Sequence, residues 1–265
     1  MADVELPLTG HLAELRRRLA WATAAVAVAF AICYPGSAYL FQFLESPLHS
    51  SAVTSGLNYH LVGTGIGEGF FRKIGVAFFG AIFLALPVIL FQLWRFVAPG
   101  LETHEASYAK WFVFFGTIFF VLGSTFCYEF FFPVAFPFFL QEYADIGIEP
   151  MLRISEYLSF TSRMLLAFGA IFELPVVIFF VARAGLVTWR QLLAFSRYAV
   201  LVIFIVAAVL TPTPDAASQL MMAVPLMVLY AISILVAYLF GKQTPATVDP
   251  EADEEDAEDD EEPTA

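Results

Sequence analysis

The chain has 265 residues, of which 60% are hydrophobic and 14% charged, and its mean hydropathy is +0.76. Soluble domains carry roughly 45–50% apolar and about 25% charged residues, which argues against a water-soluble enzyme. The formal charge of −12 is unevenly placed: Asp249 to Glu262 holds 11 acids, leaving 14 against 13 bases, so the acidity belongs to a tail and the hydrophobicity to the body.

Six uncharged runs follow one another along the chain. Arg16, Arg17 and Arg18 precede the first, and Ala29-Phe30-Ala31 resembles a signal-peptidase site. The uncharged stretch nevertheless continues to Leu44, 26 residues from Leu19, longer than the about 20 needed to cross a bilayer. It therefore reads as a retained span, Leu19 to about Phe43, with a bend at Pro35-Gly36. The second span runs from Ile74 to Trp94 and contains Pro87. The third, Trp111 to about Leu140, is rich in phenylalanine and carries Glu129, Pro133 and Pro137. The fourth, Met164 to Ala182, contains Glu173 followed by Pro175. The fifth, about Phe195 to Leu210, is short, and the sixth covers Ala216 to Phe240.

Unpaired backbone groups are too costly in hydrocarbon, and the alternation of a barrel is absent, so each span is helical. The expected fold is all-α: a polytopic membrane protein of six transmembrane helices, residues 1–242, the last two short, with a disordered acidic tail over 243–265. Six spans place both termini on one face. That face holds nine basic residues (Arg16, Arg17, Arg18, Arg95, Lys110, Arg183, Arg190, Arg197 and Lys242) against four on the other, which puts both termini in the cytoplasm. The two longest loops then face outside. One contains Gly63-Thr64-Gly65-Ile66-Gly67-Glu68-Gly69, whose spacing fits neither a Walker nor a dinucleotide fingerprint and reads as a flexible loop. Cys33 and Cys127 lie inside apolar runs and imply neither a disulfide framework nor a metal site.

Acids in apolar surroundings are functional candidates, because a charge at the bilayer centre costs about 2.5–3.5 kcal/mol or more. Glu173 is the clearest, and Glu129 lies closer to the outer interface. Glu14 and Arg18, four residues apart, form an intrahelical pair in the simplest reading. Glu102 and Glu105 sit in the short loop from Pro99 to Lys110, where Thr103 offers a helix cap and Glu105 favours the helix dipole.

Taken in order, these segments resemble the TatC family, the core receptor of twin-arginine protein translocases. His11-Leu12-x-Glu14-Leu15-Arg16-x-Arg18-Leu19 is similar to its N-terminal motif, and Ser46-Pro47-Leu48 to its first external-loop motif. Leu86-Pro87-Val88, Phe91-Gln92-x-Trp94-x-Phe96-x-x-Pro99-Gly100-Leu101 and His104-Glu105 resemble its most diagnostic stretch. Phe168-Gly169-x-x-Phe172-Glu173-Leu174-Pro175 matches its fourth span, and Thr211-Pro212-x-Pro214-Asp215 its last turn, with one residue more than the usual Pro-Pro-Asp.

The resemblance implies that Glu14 and Glu105 contact the paired arginines of a signal peptide. Arg16 and Phe96 would belong to the same cytoplasmic surface, and Pro47 would shape the outer loop. Pro99 would belong to the structural framework, Glu173 would sit inside the concave face of a glove-shaped cup where partner helices dock, and Asp215 would close the outer turn. It further implies single-span partners of the TatA and TatB type, self-assembly into a multimeric receptor, a prokaryotic inner-membrane location and export of folded cargo driven by the proton gradient. No enzymatic activity, cofactor, metal or nucleic acid is implied. Ala106 and Ser107 stand where the family usually has basic residues, and Glu129 where it commonly has an aromatic. The competing reading of the residues is a proton-coupled small-solute transporter with Glu173 and Glu129 as its relay.

Overall fold

The computed structural model describes residues 8–56, 59–97, 109–211 and 215–241. Among these residues eight α-helices follow in chain order: α1 (Leu8–Cys33), α2 (Ser37–Ser55), α3 (Glu68–Val97), α4 (Ala109–Phe126), α5 (Phe132–Asp145), α6 (Ile154–Arg183), α7 (Trp189–Leu210) and α8 (Ala216–Phe240). Among the described residues, five continuous helical stretches are long and apolar enough to cross a membrane, with α4 and α5 acting as one. The count is six if α1 and α2 together make one span. Large apolar side chains such as Leu84, Leu93, Ile118, Val121, Leu201 and Ile205 remain exposed on the helices, as they must when the surrounding solvent is lipid.

The first span differs from the sequence expectation. The chain does not run on to Phe43 in one direction. It turns by 89° between α1 and α2. Pro35 supplies no N–H and disfavours helix at Tyr34, so the turn falls where those two effects meet. Lys73 sits 4.9 Å above the Tyr34 ring at this corner. The fifth span also begins earlier than expected, at Trp189, where Thr188 and Gln191 form a reciprocal capping box. With 22 and 25 residues, α7 and α8 remain shorter than the 30-residue α3 and α6.

Helix α2 lies across the bundle and packs on α3, α5 and α6. It contains Pro47, which has no N–H to donate to the Phe43 carbonyl. The Tyr128 hydroxyl donates to that carbonyl instead, at 3.0 Å, and its ring stacks on Phe43 with centroids 4.5 Å apart. The buried Tyr157 hydroxyl donates to the adjacent Leu44 carbonyl at 2.6 Å. Tyr128 is presented by a single π turn, Cys127–Phe131, between α4 and α5. This turn precedes Pro133, which leaves the Glu129 carbonyl without its usual helical donor.

Two three-residue strands, β1 (His60–Val62) and β2 (Met151–Arg153), pair in parallel with Leu61 opposite Leu152. Nothing in the sequence pointed to them: the pairing is non-local and too short to show an alternation. Nor is the glycine-rich segment beside β1 without internal order. The Glu68 carboxylate accepts from Thr64 N (2.6 Å), Gly65 N (3.2 Å) and, from the start of α6, Ser155 N (3.1 Å). Arg72 donates to the Ser155 carbonyl and the Ser159 hydroxyl. Together these contacts join the two long loops at one end of the molecule.

Helices α3, α4 and α6 stack in layers. Trp94, Phe112 and Phe180 form one, with ring centroids 4.7–5.4 Å apart. Leu90, Gly116 and Glu173 form the next, and Phe83 and Phe120 meet beyond it. A methyl group added at Gly123 would lie 2.5 Å from the Phe168 carbonyl oxygen, so α4 and α6 approach as closely as glycine permits. Ser124 fastens the same contact by donating to the Leu165 carbonyl at 2.9 Å. Helix α8 packs on α6 and α7, and Gln219 donates to the Phe204 carbonyl of α7 at 3.0 Å.

Tyr157→Phe should remove one buried hydrogen bond and lower stability by about 1 kcal/mol, read as a lower Tm in detergent. An unchanged Tm would mean that the Leu44 carbonyl needs no donor from α6.

Candidate functional site

Helix α1 lies antiparallel to α3. Cys33 faces Gly80, Ala29 clusters with Ala81 and Ala85, and Ala25, Val26 and Ile89 pack against that cluster. Counting about 1.5 Å per residue from the Cys33–Gly80 pair, Arg18 and Phe96 both lie about 22–24 Å along their helices. They therefore share a level at one end of the bundle. Glu14, Arg18, Ala22, Ala25, Val26 and Ala29 are covered while the residues between them are exposed, so the carboxylate falls on the same helical stripe as the alanines that pack on α3.

Arg18 donates to Glu14 at 2.7 Å, and their side chains are only 12% and 20% exposed. This is the intrahelical pair the spacing suggests, but on a half-buried face. Arg18 Nε is buried without a hydrogen-bond partner, as is Gln92 Oε1 on α3. Arg16 is exposed, and Phe96 is half-buried. Arg95 lies over the Phe91 ring, and Lys110 over Trp111. Pro99 and Glu105, together with Glu102 and Thr103, fall outside the described residues.

Glu173 is well inside the bundle, about 15 Å from the Arg183 end of α6 by helical rise. Both carboxyl oxygens are buried with no hydrogen-bond partner among the described residues. They face Gly116 of α4 and Leu90 of α3. Glu129 is exposed on the π turn. The Ser124–Leu165 bond sets the register of α4 on α6, so Glu129 lies level with about residue 160, about 20 Å from Glu173 along the axis. That separation is too long for a direct proton relay, and it removes the structural basis of the transporter reading.

Asp215 caps α8: Ser218 N donates to its carboxylate at 2.7 Å and Ser218 Oγ at 2.5 Å. Residues 212–214 lie outside the described residues. Pro47 acts through the carbonyl it frees in α2. The sequence reading missed the donors to that carbonyl and its neighbour, Tyr128 and Tyr157, and it missed Gly116. It also missed Glu68, although an acid three residues after Gly65 is half of a capping-box signal.

A family model described as Sec-independent protein translocase protein (TatC) matches residues 10–225. The chain is 42% identical over 234 residues to the protein of that name from Magnetococcus marinus, covering 88% of this chain and 84% of the relative. To the one from Desulforapulum autotrophicum it is 43% identical over 251 residues, covering 95% and 89%. A crystal structure described as the twin arginine translocase receptor TatC superposes with a TM-score of 0.77 at 32% identity, covering 86% of this chain and 98% of that one.

The chain belongs to the TatC family. It is accordingly a membrane-spanning, non-enzymatic component of Sec-independent protein translocation. Membership gives no support to a small-solute transporter. All eight positions carried over by resemblance fall inside residues 10–225, whereas the acidic tail lies beyond the matched region.

Asp215→Ala should destabilise the N-terminus of α8 by about 0.5–2 kcal/mol, measured as a lower Tm. Asp215→Asn, which keeps a capping oxygen, should recover most of the loss.

Proposed function

We propose that this chain is the receptor subunit of a twin-arginine translocase. In this reading it binds the paired arginines of signal peptides on folded cargo and assembles with single-span TatA- and TatB-type subunits, with transport driven by the proton gradient. Glu14 and Glu105 bind the guanidinium groups, and Arg16 and Phe96 line the same surface. The observation that carries this reading is the Glu14–Arg18 pair, a half-buried carboxylate that already holds a guanidinium at 2.7 Å. An incoming arginine competes for a place whose chemistry is already matched to it. Arginine offers planar, bidentate bonding that lysine cannot reproduce.

The distribution of basic residues supports a cytoplasmic position for this end. Arg16, Arg17, Arg18, Arg95, Lys110, Arg183 and Arg190 gather there, against Arg72, Lys73, Arg153 and Arg163 at the end bearing β1 and β2. Both termini are then cytoplasmic in a prokaryotic inner membrane. The bundle occupies residues 1–242 and the acidic segment 243–265 is an appendage. Glu173 serves partner helices, because its acceptors are unfilled among the described residues. Several receptors assemble into one complex.

The test is the affinity of the detergent-solubilised chain for a twin-arginine signal peptide against its twin-lysine version. The arginine peptide should bind at least about tenfold tighter, equivalent to 1.4 kcal/mol. Glu14→Gln or Glu105→Gln should abolish most of that preference, at a cost of about 2–5 kcal/mol where the pair is shielded from water. Equal affinity for the two peptides would sink the assignment. Deleting the residues after Gln243 should leave peptide affinity unchanged at low salt. A change would give the tail a part in recognition.

A further inference from the structure

A cavity of about 820 Å³ lies at the end of the molecule that bears β1 and β2. Its size is that of a small-molecule site, about 300–1,000 Å³. The floor is aromatic. Phe136 meets Tyr157 and Phe160 at 5.7 and 6.2 Å between ring centroids, and Phe139 meets Phe160 at 6.2 Å. The charged groups stand above this floor. Glu142 follows Phe136 and Phe139 on α5 by about 4–9 Å of helical rise, and Arg153 and Glu156 precede Phe160 at the start of α6 by about 6–10 Å. Asp215 completes the rim from α8, its carboxylate already engaged by Ser218 N. Tyr143 and Ile146 line the cavity and are themselves exposed, so it is open to its surroundings.

Apolar rings at depth and charges at the mouth repeat the polarity profile of a membrane lipid seen from the interface. Charge then selects the headgroup. The rim presents one guanidinium and three carboxylates, so a lipid of net negative charge meets more repulsion than attraction. A quaternary ammonium offers a carboxylate no hydrogen bond, whereas a primary ammonium donates three. Arg153 and Glu156 stand 3.5 Å apart with side chains 58% and 72% exposed, a loose surface pair that loses little when another ion pair replaces it. A phosphate and an ammonium joined by two carbons match that pair, the phosphate on Arg153 and the ammonium on Glu156 and Glu142. We propose that this cavity binds a zwitterionic aminophospholipid of the phosphatidylethanolamine type, with an acyl chain laid over the Phe136–Phe160 floor. The site is separate from the surface assigned to signal peptides, since Glu14 and Arg18 belong to the opposite end of the bundle.

The four tryptophans, Trp21, Trp94, Trp111 and Trp189, all lie towards that opposite end, so Tyr143→Trp places a fluorophore of its own at the cavity. The full chain with this change, in mild detergent, is titrated with phosphatidylethanolamine, phosphatidylcholine or phosphatidylglycerol brominated on the acyl chains. Quenching of the added tryptophan, read against the unsubstituted chain, should reach half-saturation at a concentration at least about fivefold lower for the ethanolamine lipid. Glu142→Gln combined with Glu156→Gln should cut its advantage over the choline lipid to less than about twofold. Arg153→Gln should weaken the ethanolamine and choline lipids alike, because both carry the phosphate. All three side chains are exposed, so these variants should keep their Tm. An equal or reversed order of the three lipids overturns the proposal, and so does a preference that survives the paired glutamine change. Ethanolamine-lipid binding untouched by Arg153→Gln, or quenching that never saturates, overturns it too. Quenching abolished by single-span partner subunits makes the cavity a helix seat and has the same effect. If Tyr143→Trp lowers the Tm, Ile146→Trp on the same rim takes its place and the same outcomes decide.

Discussion

A chain that crosses hydrocarbon must satisfy its own backbone, because no water is there to do so. The rest of this structure depends on that constraint. Regular helix meets it automatically, so the informative places are those where proline interrupts the ladder. Pro47 frees the Phe43 carbonyl, and the Tyr128 hydroxyl takes it up. Pro133 interrupts the third span, and the helix widens into the π turn that presents Tyr128. The second break thus supplies the donor that the first one needs, and that bond ties α2 to the π turn. The short β1–β2 pair and the Glu68 carboxylate do the same for the two loops, where segments too short for a helix still need partners for their N–H groups.

The acids divide by the same logic. Glu68 and Asp215 spend their oxygens on backbone N–H groups at helix starts, where the dipole favours negative charge. Glu14 is paired with Arg18 on a face half-covered by α3. Glu173 differs from these three. Its oxygens lie against Gly116 in the layer that holds Leu90, and they receive no donor among the described residues. An arrangement of that kind costs folding energy, and the surrounding layers tolerate it because close packing at Gly123 and the aromatic stack hold the helices in place. Stability at neighbouring layers permits an unsatisfied group at this one.

Much of the molecule was legible in the residues. The uncharged runs marked every span, Pro35-Gly36 marked the bend, and the spacing of Glu14 and Arg18 marked their ion pair. The family resemblance rested on motifs that a family model then matched over residues 10–225. Where the first span ended was not legible. A hydropathy run records that residues are apolar, and both a continuing span and a helix turned by 89° satisfy that condition. Tyr128, Tyr157 and Gly116 were passed over for a related reason. A tyrosine or glycine inside an apolar run has no local signature until its partner on another helix is known.

By itself, the sequence determined the solvent, the helical class and the resemblance to the family, because hydropathy, proline placement and motif order are local properties. It also separated a near-neutral body from an acidic tail. Only the tertiary structure decided which groups meet: that Glu14 faces α3, that Glu68 ties the start of α6 to the loop before α3, and that Glu173 rests against the one α4 residue in that layer without a side chain. Those outcomes depend on helix register and crossing distance. Both are set by close packing between residues dozens of positions apart, for which single-chain periodicity carries no information.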